Sequence, residues 1–209
     1  MQFIIEAFDA ISSGLRKCLC STVVLLLCAC GGAGTQDSDQ LSALQERQRA
    51  TNQLIASFSP IEYTELNTIP TSGSALYQGF VSGQFSNTDD DITDTLIGDL
   101  SLQVVFDAPE MVSGSVGNFL DDRGNSMSGS LVLSGGVLDR GGDPDIDATF
   151  TFDGSGDIID NGGRSISVTA AFAGDFLKDG YTGVGGDVQG QAIVNGLSQS
   201  FGGLFIASQ

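Results

Sequence analysis

The hydrophobic pattern changes period once along the chain. Between residues 37 and 58 it is helical: Asp37 and Gln40 have capping-box spacing, good helix formers follow, and Pro60 ends the run. Leu41, Leu44, Leu54, Ile55 and Phe58 form a thin apolar stripe interrupted by Gln48. Such a helix either packs loosely on a neighbour or stands as a stalk; fewer than three clean heptads argue against a coiled coil. Residues 59–73, with Pro60, Pro70 and several Ser and Thr, read as a linker. From Ser74 onward the period is two. Residues 96–106 alternate Leu96, Gly98, Leu100, Leu102, Val104 and Phe106 against Asp99, Ser101 and Gln103. The same alternation runs through 127–137 (Met127 to Val137), 146–152 (Ile146 to Phe152) and 166–176 (Ile166 to Phe176). Less regular runs lie at 76–85, 111–119, 183–192 and 199–208.

Turn signals separate these runs: Asp89-Asp90-Asp91, Asp121 to Asn125, Arg140 to Pro144, Asp160 to Gly163, Lys178-Asp179-Gly180 and Asn195-Gly196. Eight strands joined mostly by hairpins are expected, and the chain is mainly β. A Gly-rich antiparallel set of eight closes most economically into an up-and-down β-barrel, which leaves no edge strand; a two-sheet sandwich is the alternative. Gly98, Gly114, Gly129, Gly135 and Gly174 share the parity of the large apolar residues. A narrow interior needs small residues beside large ones, so that parity is read as the inside. The absence of Trp and of a tyrosine girdle argues against a transmembrane barrel. The expectation is a soluble barrel with a filled core.

Composition narrows the function classes. The chain has 209 residues, 29 of them Gly, with 26 acids, 8 bases and a net charge of −18. A surface so negative does not bind nucleic acid by neutralising phosphates. There is no His, which removes Ser-His-Asp and Cys-His catalysis, His-ligated zinc and His-ligated haem.

Residues 1–29 read as an export signal. Arg16 and Lys17 precede the apolar run 18–29, which at twelve residues is too short for a hydrocarbon core of ~30 Å. Glu6 and Asp9 are unusual in such a leader and suggest a true start codon further along. The run ends Leu27-Cys28-Ala29-Cys30, which resembles the lipobox of bacterial lipoproteins. That resemblance implies diacylglycerol thioether formation and palmitate-type acylation at Cys30, which becomes the mature N-terminus, with an ordinary secretory signal as the alternative. Several acyl chains exceed what stable anchoring requires. Gly31, rather than Asp, after the cysteine implies the outer membrane. All four cysteines lie at or before the cleavage point, so the mature fold has no disulfide to rely on. Glu6, Asp9, Arg16 and Lys17 leave together, two acids and two bases, and the mature charge stays at −18. The domain plan is therefore signal 1–29, anchor, helix and linker 30–73, and barrel 74–209.

The C-terminal third carries a series of glycine and aromatic spacings: Phe172-Ala-Gly174-Asp175-Phe176, Gly186 to Ala192, Gly196, and Phe201-Gly-Gly203-Leu-Phe205-Ile-Ala207. Val112, Gly114, Val116, Asn118 and Phe119 form a further series. Together they resemble the barrel domain of transferrin-binding protein B, in particular single-barrel transferrin-binding protein-like surface lipoproteins, over roughly 74–209. Lys178 stands where that family often has the second Gly of its G-x-F-x-G element, and the family's handle sheet is replaced by the helix at 37–58. The resemblance implies a surface-displayed, non-enzymatic ligand-binding lipoprotein for iron, haem or host-protein acquisition, with the partner unspecified.

The concentrated chemistry is acidic: Asp89, Asp90, Asp91 and Asp94; Asp139, Asp143, Asp145 and Asp147; and Asp153, Asp157 and Asp160. Oxygen ligands suit Ca²⁺, and Asp139, Asp143 and Asp145 are weak candidates, but no segment matches an EF-hand loop. The competing reading is hairpin turns whose Asp side chains cap the backbone. Asp121, Asp122, Arg123 and Tyr181 are candidate partner contacts, Tyr181 also as a haem ligand; the alternative for Tyr181 is a ring closing the barrel rim. No cofactor is expected. Catalysis by paired carboxylates, as in glycosidases, would need a cleft and stacking aromatics, which this composition does not offer. A structural or adhesive acidic envelope module, Ca²⁺-stabilised, is the alternative function.

Overall fold

The computed structural model describes residues 36–87, 91–141, 148–178 and 180–209. Helix α1 (Gln36–Ser57) comes first, then a single 3₁₀ turn (Leu66–Thr68). Eight strands follow: β1 (Ser74–Ser86), β2 (Ile92–Val105), β3 (Met111–Asp121), β4 (Ser126–Leu138), β5 (Phe150–Ile159), β6 (Ser165–Leu177), β7 (Gly183–Val194) and β8 (Leu197–Ser208). Each pairs antiparallel with the next, and β8 returns to β1 from Gln78↔Ser208 to Ser86↔Ser200. This is the closed up-and-down barrel; the β1–β8 ladder rules out the sandwich.

Alternation makes the barrel work. One side of every strand is apolar and buried, and the interior is filled largely by rings. Phe152 and Phe172 stack at 4.7 Å, Phe150 and Phe176 meet edge-on at 5.1 Å, and Phe205 touches Phe150, Phe152 and Phe172. Phe85 and Phe201 fill one end at 5.1 Å, and Phe106, Phe176 and Tyr77 the other. Glycine makes the space: a Cβ on Gly98 would lie 2.6 Å from the Phe119 ring, and one on Gly174 2.5 Å from Phe205. The outer wall carries Asp99, Asp153, Asp157 and Asp187 among Ser, Thr and Gln. That is the inverse of an outer-membrane barrel, whose outward face is apolar, and it suits water.

Three expectations from the alternation need correcting. Val137 was expected inside, but the β4–β5 register shifts between Ser134 and Val137, with Gly135 at φ 70°. The extra residue turns Gly136 inward and Val137 out, where it is 57% exposed. Gly129, at φ 102°, and Gly135 are likewise exposed rather than spacers among core rings. The fifth strand runs from Phe150 to Ile159, so Ala148 stands outside it, and residues 146–147 lie outside the described residues. Asp153 and Asp157 are therefore outer-face strand residues, and Asp94 lies on β2, so these acids do not belong to loops.

The connections fall at two mouths of different character. One has tight turns at 87–91, 121–125, 160–164 and 195–196. The first three share one construction: the first residue (Asn87, Asp121 or Asp160) donates its N–H to the carbonyl of the fifth (Asp91, Asn125 or Arg164). Its side-chain oxygen accepts the fifth residue's N–H in return, at 2.8–3.0 Å. The fourth turn is Asn195-Gly196, both with positive φ, the two-residue hairpin that matches strand twist. The opposite mouth carries 106–110 and 178–182, five residues each, and 139–149, at eleven residues the longest connection between strands.

Because Gly98 faces the Phe119 ring and Val116 with no room for a methyl, Gly98→Ala should destabilise the barrel by about 1–3 kcal/mol. Denaturant unfolding checks this; an unchanged midpoint would mean that the interior has slack.

Candidate functional site

The N-terminal segment lies on the barrel. Helix α1 starts beside the tight-turn mouth, where a Cβ on Gly124 would strike the Gln40 carbonyl at 2.3 Å. Leu44 packs with Ile97 and Leu120. Arg47, 18% exposed, sets its Nε 3.3 Å from Asp99 Oδ1 and donates to the carbonyl of Asn118. Asn118 adopts φ 51° at a bulge in β3 and donates its own side-chain N–H to Asp99 at 3.0 Å. At the far end Phe58 packs with Leu177 and Ile206, its ring lying where a Cβ on Gly183 would be. The stripe of Leu44, Leu54, Ile55 and Phe58 is thus the docked face, and Leu41 remains exposed.

Residues 59–73 form a strap across the loop mouth rather than a free linker. Tyr63 bridges to Leu177, extending β6 outward by one short pairing. Buried Thr64 donates its N–H to Phe176 O at 3.0 Å and its hydroxyl to Lys178 O at 2.5 Å; Lys178 N–H donates to Glu62 O at 2.8 Å. Lys178 has φ 61°, a left-handed conformation that favours glycine. Its side chain donates to the Ser57 carbonyl and lies 5.7 Å from the centre of the Phe58 ring. Ile69 enters the main core as a plug. Arg140 holds it there, pairing with Glu110 at 2.6 Å and donating to the carbonyls of Ile69 and Pro70.

The residues singled out in the sequence divide between the two mouths. Asp121 lies at the tight-turn mouth, and both of its oxygens are used by its own turn: Oδ1 accepts from the N–H of Arg123 and of Asn125, and Oδ2 from the Asn125 amide. Asp122 and Arg123 beside it are exposed, 4.0 Å apart. Tyr181 and Asp139 lie at the other mouth. Tyr181, at φ 49°, is a rim residue: its ring meets Phe106 edge-on at 5.7 Å, and its carbonyl accepts from the Tyr77 hydroxyl and the Gln209 amide, both at 2.9 Å. Burial pushes the Tyr77 hydroxyl up to about 12, so it stays a neutral donor. Asp139 is exposed at a turn and accepts the Gly141 N–H at 2.8 Å. Cys30, Asp89, Asp90, Asp143, Asp145 and Asp147 lie outside the described residues. Among the described residues no three His, Cys, Asp or Glu side chains come together to hold a metal ion.

Two polar groupings escaped sequence reasoning. Arg164 reaches from the β5–β6 turn to Asp94 of β2 at 3.0 Å while also pairing with Asp160 at 2.9 Å, tying opposite sides of the tight-turn mouth. Hydrogen bonds from Arg164, its backbone N–H first, hold the Asp160 carboxyl below its ordinary range. Asp175, on the outer side of β6 and almost fully buried, accepts the Thr149 N–H at 2.9 Å and hydroxyl at 2.7 Å, pinning the start of β5. Burial pushes its carboxyl up, and repulsion from Asp187 adds to that. The sequence signal, an Asp at outward parity, was the same as for exposed Asp99 and could not separate the two.

Comparison with protein-family models, with curated proteins and with solved structures finds no match for this chain. Its class therefore rests on its own geometry: an eight-stranded up-and-down β-barrel, filled inside, with an N-terminal helix and strap packed on it.

Replacing Arg47 by Ala removes the charged tie between α1 and the β2–β3 wall. Because Asp99 is substantially exposed, the expected loss is modest, about 1 kcal/mol, but α1 should become the first site of limited proteolysis. Unchanged resistance within 36–57 would show that the apolar contacts hold it alone. A carboxyl whose folded pKa is raised favours folding while protonated and loses that contribution as pH climbs through the folded value. Asp175→Asn keeps an oxygen for Thr149 and removes the buried charge. The variant should melt higher than the parent near neutral pH, with the gap closing towards the ordinary carboxyl pKa of about 4. A gap that does not vary with pH would contradict this.

Proposed function

We propose that the protein is a lipid-anchored, non-enzymatic binding lipoprotein of the bacterial outer membrane, resembling the single-barrel transferrin-binding protein-like proteins. Acyl chains on Cys30 hold it at the membrane, and it captures a protein or a small iron or haem ligand. The observation that carries this reading is the filled interior. With Phe150, Phe152, Phe172 and Phe205 in contact across the lumen, recognition is left to the mouths and the wall. The turns and strands on which the described acids sit use many of them for structure, which supports presentation rather than catalysis. The acidic surface favours basic or cationic partners and repels anionic ones.

The test has two parts. Cys30→Ser should abolish incorporation of labelled palmitate and move the protein out of the membrane fraction; membrane retention without acylation would contradict the anchor. Replacing the connection at 139–149 should lower capture of the partner from envelope extract at least tenfold, and unchanged capture would count against this reading. A barrel that captures nothing but melts substantially higher with Ca²⁺ would instead support the structural or adhesive alternative.

A further inference from the structure

The tight-turn mouth and the loop mouth stand at opposite ends of the barrel, and the chain enters the fold at only one of them. Strands of 12–13 residues, rising ~3.3 Å per residue and tilted as barrel strands are, separate the two mouths by roughly 30 Å. Helix α1 covers that distance, since 22 residues at 1.5 Å make about 33 Å. It runs from Gln40 beside Gly124 at the tight-turn mouth to Phe58 beside Gly183 at the loop mouth. Five residues, Gly31, Gly32 and Gly34 among them, separate Cys30 from the first residue of the helix, so six Cα–Cα steps span the gap. Fully extended they reach about 20 Å, and as a flexible coil about 13 Å. That is well short of the distance from one mouth to the other.

We propose that the tight-turn mouth is the membrane-apposed end of the barrel and rests on the lipid surface, so that the loop mouth is the end presented outward. The proposal rests on the acylation of Cys30 argued above. Its occupant is a zwitterionic phospholipid surface, met by aliphatic side chains at the outer edge of that mouth: Ile92, Ile159, Ile193 and Leu197, the last 70% exposed. Exposed aliphatics also occur at the other end, Val137 and Met111 among them, so an apolar edge alone does not select a mouth. The short tether selects it. The distribution of connections agrees: the membrane-apposed end has the compact, self-capped turns, and the outward end has the longest connection, 139–149, with Tyr181 and the strap beside it. Asp121, Asp122 and Arg123 are then turned towards the lipid, and partner capture belongs to the other end.

The full chain, acylated in cells and reconstituted into phosphatidylcholine vesicles, tests the orientation. Leu197→Cys and Val137→Cys each add a thiol at an exposed aliphatic position, one at each mouth, and neither opens the core. Acylated Cys30 has no free thiol, so an environment-sensitive fluorophore labels the new position alone. Brominated phosphatidylcholine should quench the label at 197 at least threefold more than the label at 137, and aqueous iodide should show the reverse order. Equal quenching at the two positions, or stronger lipid quenching at 137, in protein whose N-terminal peptide carries acyl chains by mass overturns the orientation and leaves the anchor standing. A peptide without acyl chains overturns both.

Discussion

The interior of an eight-stranded barrel is a fixed and narrow volume, and the whole structure depends on how it is filled. Phenylalanine rings from β5, β6 and β8, with Phe106 just past the end of β2, meet across it, and they fit because glycines stand where a methyl group would collide with them. Close packing of this kind supplies the stability that disulfides supply in many small domains, and residues 31–209 contain no cysteine to form one. It also removes the lumen as a place to hold a ligand. Closure through β1 and β8 follows from the same constraint, since an open sheet would expose the ring layer to water on one side.

With the lumen closed, the outside of the barrel takes on the remaining tasks. Helix α1 would be a poor helix alone, with few apolar residues and a polar middle. It is ordered because Leu44 and Phe58 find apolar seats at its two ends and Arg47 finds a carboxylate and a carbonyl between them. The strap closes the loop mouth with one aliphatic plug, Ile69, and one arginine, Arg140, that reaches three different segments. At the opposite mouth Arg164 does the equivalent work between Asp94 and Asp160. A chain with so few basic residues uses three arginines to join parts of the fold that are distant in sequence.

The barrel and its strand number were legible because period two is a local property, and the interior glycines share it. The turns were legible as turns because Asp and Asn cap the backbone within five residues. What sequence could not give was anything set by a single inserted residue or by contact at long range. The bulge at Gly135 reverses the faces of Val137 and Gly136 without changing composition. The Pro and Ser content of 59–73 is that of a linker, yet Thr64 and Ile69 are buried by partners more than one hundred residues away or across the mouth. Both side-chain oxygens of Asp121 are engaged by its own turn, which its charge alone does not reveal. Whether the candidate residues share a surface depended on which mouth each connection closes. Only the strand directions supply that, and they place Asp121 and Tyr181 at opposite ends.

The central claim is a shut ring of eight strands with no edge. Amide hydrogen exchange on the native protein tests it most directly, read at β1 and β8. The account predicts that residues 78–86 and 200–208 exchange as slowly as the middle of β6, because their N–H groups are paired alternately to the two flanking strands. Fast exchange at every second amide along β1 or β8 would mark a free edge and contradict it.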